Sequence, residues 1–240
     1  MELNRWSGFA LIAGLSLILG CGSTPADATP EKENESATVS LFDGATLAGW
    51  EGEPGYWSVE DGAITGVTTE ATQAGGPTYL IWRGGDVDNF ELRFRYRLIG
   101  EVNSGMQYRS RDEGNFLVHG YQADIESGQQ WNGVLVEMGG RLHLAMRGQQ
   151  VRVTSDGKIE IAGSTGDPDE LQSFVKTGDW NEFEIIANGP RLVHKINGHT
   201  MIDALDEDSE KALSSGILAI QLNRSRPMKV QVKDIQLKRL

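Results

Sequence analysis

The chain has 240 residues, with 34 Asp and Glu against 22 Lys and Arg, a formal charge of −12. That length suits one large β-domain or two small ones, and the negative surface repels phosphate backbones, which argues against a nucleic-acid partner. Thirty glycines beside 39% hydrophobic and 8% aromatic residues describe a turn-rich fold rather than a helical bundle, and no apolar run reaches the roughly 18 residues a spanning helix needs.

The longest apolar stretch, Gly8 to Gly20, lies where the hydrophobic region of an export signal belongs. It runs into Ile18-Leu19-Gly20-Cys21, which resembles a bacterial lipobox, and Cys21 is the only cysteine in the chain. The resemblance implies a signal peptide over residues 1–20, lipidation of Cys21 and a membrane anchor; an ordinary export signal is the alternative. In a Gram-negative cell, Gly22 rather than Asp after the cysteine points to the outer membrane, facing the periplasm or the cell surface. Residues 22–38 are polar, hold two prolines and show no apolar periodicity, so 21–38 is expected to be a lipidated, disordered tether. The folded domain is expected over 39–240.

From there the pattern is short strands parted by Gly, Asn and Asp turns. Phe90 to Leu98, FELRFRYRL, alternates apolar and charged residues as a half-exposed antiparallel strand does. Asn181 to Ala187, Arg191 to Ile196 and Lys229 to Leu237 read the same way. Asn197-Gly198 is a strong hairpin signal, because both residues accept positive φ. Only Asp167 to Lys176 reads as helix, with Asp167 as N-cap, Pro168 at the first helical position and acids in the first turn. Trp50, Trp57, Trp82 and Trp180 are expected in the core. Many strands with one short helix predict an all-β sandwich.

Several phrases resemble one family in order and spacing. They are Leu41-Phe42-Asp43-Gly44 with Gly49-Trp50, Trp57-Ser58-Val59-Glu60-Asp61-Gly62, Phe90-Glu91-Leu92, Asn103-Ser104-Gly105 and Tyr108-Arg109-Ser110. Gly120 to Ile125, Trp131-Asn132-Gly133, Glu137 with Gly140-Arg141, Trp180-Asn181, Asn197-Gly198 and Gly216 to Gln221 follow. The family is the 3-keto-disaccharide hydrolase domain, and the resemblance spans residues 39–240. It implies a concanavalin-A-like jelly roll of two curved antiparallel sheets, and cleavage of a glycoside already oxidised to a ketone at C3. A separate oxidoreductase would supply that ketone. One position departs from the family: where its members often carry His, two residues after Gln221, this chain has Asn223, which cannot transfer protons near neutral pH. That departure favours the rival reading, a glycan-binding module without catalysis.

A C3 ketone acidifies the C2 proton, so one base can start β-elimination of the C1 substituent. The site needs a base, a donor for the developing enolate oxygen and an acid for the leaving group. Period-two alternation sorts the candidates into faces. If the strands are neighbours, one polar face carries Arg109, Gln122, Asp124, Glu137, Gln221 and Asn223. Asp124 and Glu137 are the candidate bases or acids, though each could instead pair with Arg109 or Arg141. Arg109 is the candidate for stabilising the enolate. Asn103, Gln122, Arg141, Gln221 and Asn223 would bind sugar hydroxyls, and Trp131, in an expected loop after Gly128-Gln129-Gln130, could stack on a sugar ring. No cofactor is expected. A two-residue turn at 197–198 would pair His194 with Met201 and set His194, His199 and Asp203 on one face, a set that could take a divalent metal, although packed histidines are the simpler reading.

Overall fold

The computed structural model describes residues 37–240. The leader over 1–20, Cys21 and the tether up to residue 36 lie outside the described residues. In chain order the strands are β1 (Thr38–Ser40), β2 (Trp50–Gly52), β3 (Trp57–Glu60), β4 (Ala63–Thr68), β5 (Pro77–Trp82), β6 (Phe90–Ile99), β7 (Asn103–Gly114), β8 (Leu117–Glu126) and β9 (Leu135–Met138). Then come β10 (Leu142–Ala145), β11 (Gln149–Val153), β12 (Ile159–Ser164), the helix α1 (Pro168–Ser173), β13 (Asn181–Asn188), β14 (Arg191–Ile196), β15 (His199–Asp206), β16 (Ile217–Asn223) and β17 (Met228–Arg239).

These strands form two sheets. One has the order β12-β11-β15-β14-β13-β6-β17-β4-β3, with β1 paired to β17; the other runs β10-β9-β8-β7-β16-β5-β2. All pairings are antiparallel except β11 with β15. The expected all-β jelly-roll sandwich with one short helix is therefore the observed architecture.

The alternation read along Phe90–Leu98 is real: Phe90, Leu92, Phe94, Tyr96 and Leu98 are buried, while Arg93 and Arg95 are exposed. Phe94 stacks on Phe183 of β13 at 5.3 Å between ring centres. Met106, Tyr108, Tyr121, Ala123, Ile125, Leu218 and Ile220 join the same apolar core from the other sheet. Burying each large side chain contributes about 1.5–3 kcal/mol, and it is this sum that holds the sheets together.

The helix is shorter than the pattern suggested, ending at Ser173. Asp167 does cap it, its carboxylate accepting from the Asp169 and Glu170 N–H groups at 2.9 Å. Asp167→Ala is expected to cost about 1 kcal/mol, read as a lower urea midpoint at unchanged slope.

Two expectations are corrected. Trp180 is not core: it lies half-buried on the outer surface, with Lys233 Nζ 4.2 Å and the Arg97 guanidinium 4.9 Å from its ring. Asn197 and Gly198 do make the turn, with φ of 50° and 83°, and Ile196 pairs with His199. A bulge then shifts the ladder, so His194 pairs with Ile202 rather than Met201. His194 is buried between the sheets, 3.0 Å from the Tyr108 hydroxyl and 3.1 Å from the Gly133 carbonyl. Burial lowers its pKa to about 4. His199 stacks on Phe174 and Asp203 pairs with Arg191, so the three never converge. Among the described residues no cluster of three or more His, Cys, Asp or Glu side chains could hold a metal ion.

Candidate active site

The seven-stranded sheet turns one face to the core and the other outward, and register decides which side chains share the outward face. Gln107 pairs with Gln122, Gly105 with Asp124 and Asn103 with Glu126 across β7 and β8. On the far side of β7, Ala219 of β16 pairs with Gln107, while Gln221 pairs with Tyr79 of β5. Because side chains alternate, Asn103, Gln107, Gln122, Asp124, Glu126, Gln221, Asn223 and Tyr79 all lie on this face.

Its amides form a directed network. Ser110 Oγ donates to Gln107 Oε1 at 2.7 Å, and Gln107 Nε2 donates to Gln122 Oε1 at 2.8 Å. Gln122 Nε2 then donates to Asp124 Oδ1 at 2.6 Å and more weakly to Gln221 Oε1 at 3.3 Å. Gln221 Nε2 in turn donates to the Tyr79 hydroxyl at 3.1 Å. Gly105 makes room for this crossing: a Cβ there would lie 2.5 Å from Gln122 Cγ.

Asp124 is 7% exposed and has no basic partner in the network. Burial pushes its pKa up to about 7, against the Gln122 hydrogen bond, which favours the ionised form. A carboxyl poised near neutrality is what general acid–base chemistry requires.

The face is bounded on two sides. Beyond the ladder slips at Tyr108/Arg111 and Asp112/Gly114, the β7–β8 hairpin folds back toward β5. The Phe116 carbonyl accepts from Tyr79 N at 3.1 Å, Asp112 pairs with Arg83 at 2.7 Å, and Val118 packs with Tyr79, Ile81 and Ala219. Toward the other end of the strands, beside the row of Asn103, Glu126 and Asn223, opens a groove of about 520 Å³ that Trp131 also lines. Asp124 is one step deeper, roughly 7 Å along the strands.

The Trp131 loop is held from three directions. Glu126 Oε1 accepts from Trp131 N at 2.6 Å, and buried Arg147 donates to the carbonyls of Gln129 at 2.6 Å and Asn132 at 3.1 Å. The indole stacks on His143 at 4.5 Å and 13°. A second groove of about 540 Å³ lies on the outer face of the other sheet, but it holds no aromatic side chain, and its Arg191 and Asp203 are spent on each other.

Thus Asn103, Gln122, Asp124, Gln221 and Asn223 are brought together as the sequence suggested, and Trp131 borders them. Arg109, Glu137 and Arg141 are not. Arg109 takes a φ of 46° where the ladder slips, which turns its side chain off the face. Its guanidinium donates to Asp88 O at 2.7 Å, Gly189 O at 2.8 Å, Leu213 O at 3.2 Å and Asn89 Oδ1 at 3.2 Å. It ties loops together and does not reach the face that carries Asp124.

Glu137 pairs across the ladder with Tyr121, an inward-facing residue, so its carboxylate points to the opposite side from Asp124. There it binds Arg141, which also holds Asp206 Oδ2 at 2.6 Å and Asp208 Oδ2 at 3.2 Å. Both side chains are committed to this ion-pair cluster. Tyr79 and Glu126 were missed. Tyr79 is hidden in the apolar run PTYLIW, whereas Glu126 continues the Gln122, Asp124 alternation and could have been found that way.

An all-β sandwich whose amide and carboxylate face opens into a groove walled by an indole offers the planar donors and acceptors and the apolar wall that suit polyhydroxylated ligands. The 3-keto-alpha-glucoside-1,2-lyase-like domain family matches residues 37–238, and the chain belongs to that family. Its function is accordingly carbohydrate-related. Two candidate glycosyl hydrolases from Parabacteroides distasonis share the fold. One has 16% identity over 85% of this chain and 100% of its own, with a TM-score of 0.57. The other has 20% identity over 88% and 97%, with a TM-score of 0.54. The carbohydrate-binding module CBM66 from Bacillus subtilis matches at 11% identity over 78% and 94%, with a TM-score of 0.51. At these identities the likeness is one of fold. No curated protein matches the chain significantly.

Proposed function

We propose that the protein cleaves 3-keto-glycosides by elimination across C1 and C2, with Asp124 as the base. The observation that carries this reading is a buried carboxyl with a pKa of about 7, set among neutral amides beside an open groove. Ionised Asp124 takes the C2 proton, and the electron pair passes into the C3 carbonyl as an enolate. The enolate collapses to a C1–C2 double bond and expels the C1 oxygen. The leaving oxygen then receives the proton from Asp124, so the atoms balance without a second carboxylate. Water adding across the enone completes net hydrolysis. Neutral N–H groups of Gln221 and Asn103, rather than the Arg109 guanidinium, stabilise the enolate.

Because the ionised form is the base, kcat/KM is expected to rise with pH through about 7 and to level off above it. Below that it should fall about tenfold per pH unit. Aglycone release from a 3-keto-glucoside and its unoxidised parent, followed from pH 5 to 9, checks both selectivity and profile. A profile flat through pH 7 excludes Asp124 as the titrating base.

Asn223 favours a second reading, a glycan-binding module, since an amide at that place binds hydroxyls without moving protons. Glycan binding with no release from any keto-glycoside would support it.

For location we propose the cell envelope, with Cys21 lipidated and the domain tethered outside the inner membrane. Cys21→Ser is expected to shift the protein from the membrane to the soluble fraction. A variant that stays with the membrane ends that reading. The ketone needs an electron acceptor for its formation, so an oxidoreductase must act before this protein.

A further inference from the structure

The groove beside Asp124 carries an uneven set of charges. Among the described residues lining it, Arg226 is the one cation, and its Nη1 is 2.6 Å from Glu101 Oε2, an exposed ion pair at the mouth. Arg224, next to Asn223, is spent on Glu53 at 2.7 Å and on the Tyr56 ring. On the inner wall Glu126 is fixed by the Gln130 and Trp131 N–H groups. Asn103, Ser127 and Asn223 add only neutral hydrogen-bonding groups. A ligand here therefore meets the Glu126 carboxylate directly, while Arg147, the cation within Coulombic reach of Glu126, is buried against the carbonyls of the Trp131 loop and does not line the groove.

We infer that this groove selects the leaving half of the substrate by charge, accepting neutral or amino sugars and refusing uronates and sugar phosphates, with Glu126 and the Glu101–Arg226 pair as the specificity-determining residues. The inference rests on the groove being the substrate site proposed above. Glu126 repels an anion directly. Glu101 acts by occupying the one guanidinium that could bind a carboxylate in a two-point contact. Both charges of the pair are exposed, so its hold is weak and salt-sensitive.

The test compares two 3-keto-disaccharides of one linkage, with glucose or glucuronate as the leaving half, at pH 8. At low salt, kcat/KM for the neutral compound is expected to exceed that for the glucuronate by about tenfold or more. The ratio should shrink in about 0.5 M NaCl. Glu101→Gln, which frees Arg226, is expected to lower the ratio by about fivefold, and Arg226→Glu to widen it. Equal kcat/KM values in the natural protein, or a ratio that neither substitution moves, overturn the inference while leaving the cleavage reading intact.

If neither keto compound is cleaved, the cleavage reading fails, and titration calorimetry with the unoxidised disaccharides decides the charge selection separately. Tighter binding of the neutral disaccharide, with the same response to Glu101→Gln, supports it. Equal, reversed or undetectable binding overturns it.

Discussion

Asp124→Asn is expected to lower kcat on a 3-keto-glycoside by about 10²–10⁴-fold, the range associated with losing a general acid–base group. The fold should survive, because Asn keeps an oxygen to accept from Gln122 Nε2, the one side-chain hydrogen bond Asp124 receives. The variant should even gain stability at alkaline pH. In the folded protein the Asp124 carboxyl holds its proton up to about pH 7, whereas its ordinary value is 3.8. A raised carboxyl favours the fold fully below its unfolded value, and that advantage is lost as pH rises to 7. Above pH 7 the buried charge costs on the order of 4 kcal/mol, reckoned from the shift. Asn does not ionise. Denaturant melts of the two proteins should therefore coincide near pH 4 and separate by pH 8, with the variant the more stable. An active Asp124→Asn protein removes the proposed base; an inactive one no more stable than the natural protein at pH 8 removes the buried-charge argument.

Arg141→Met is expected to lose about 3–5 kcal/mol of stability, since it strands Glu137, Asp206 and Asp208 around an empty centre. Asp206 is the most exposed to this loss: it is 2% exposed and also accepts from the Tyr121 hydroxyl. In a domain of about 200 residues such a loss lowers Tm by roughly 10 °C. Below the transition, the variant's kcat should stay near that of the natural protein, because the cluster lies on the opposite side of the sheet from Asp124. Glu137→Gln should follow the same pattern with a smaller stability loss. Had Glu137 been the base, kcat would collapse with Tm unchanged, so calorimetric melting and kinetics on the same preparations separate the two roles.

The difference between these two carboxylates is also where reading the sequence stops. Alternation along one strand is local, so Phe90–Leu98, the Gln122–Asp124 face and the Gln221–Asn223 face could all be read from period two. The turn at Asn197-Gly198 and the cap at Asp167 were readable too, since they depend on what a few adjacent backbone groups can adopt. From such signals, together with the family phrases, the all-β class, several main strands along the chain and the place of Asp124 on a polar face followed.

How the faces of different strands align was decided only by tertiary structure. Glu137 alternates as cleanly as Asp124 does, yet the β8–β9 register sets it opposite Tyr121 and turns it inward. Arg109 sits two residues after Gln107, yet one ladder slip and a positive φ send it to the carbonyls of three loops. A bulge between His194 and Lys195 likewise separates His194 from His199 and Asp203. Nor does spacing within a strand foretell that Asp124 is buried deeply enough to titrate near 7. The physical reason is the same throughout. Side-chain direction has a period of two, so a one-residue change in pairing inverts a face, and that pairing is set by hydrogen bonds to strands distant in sequence.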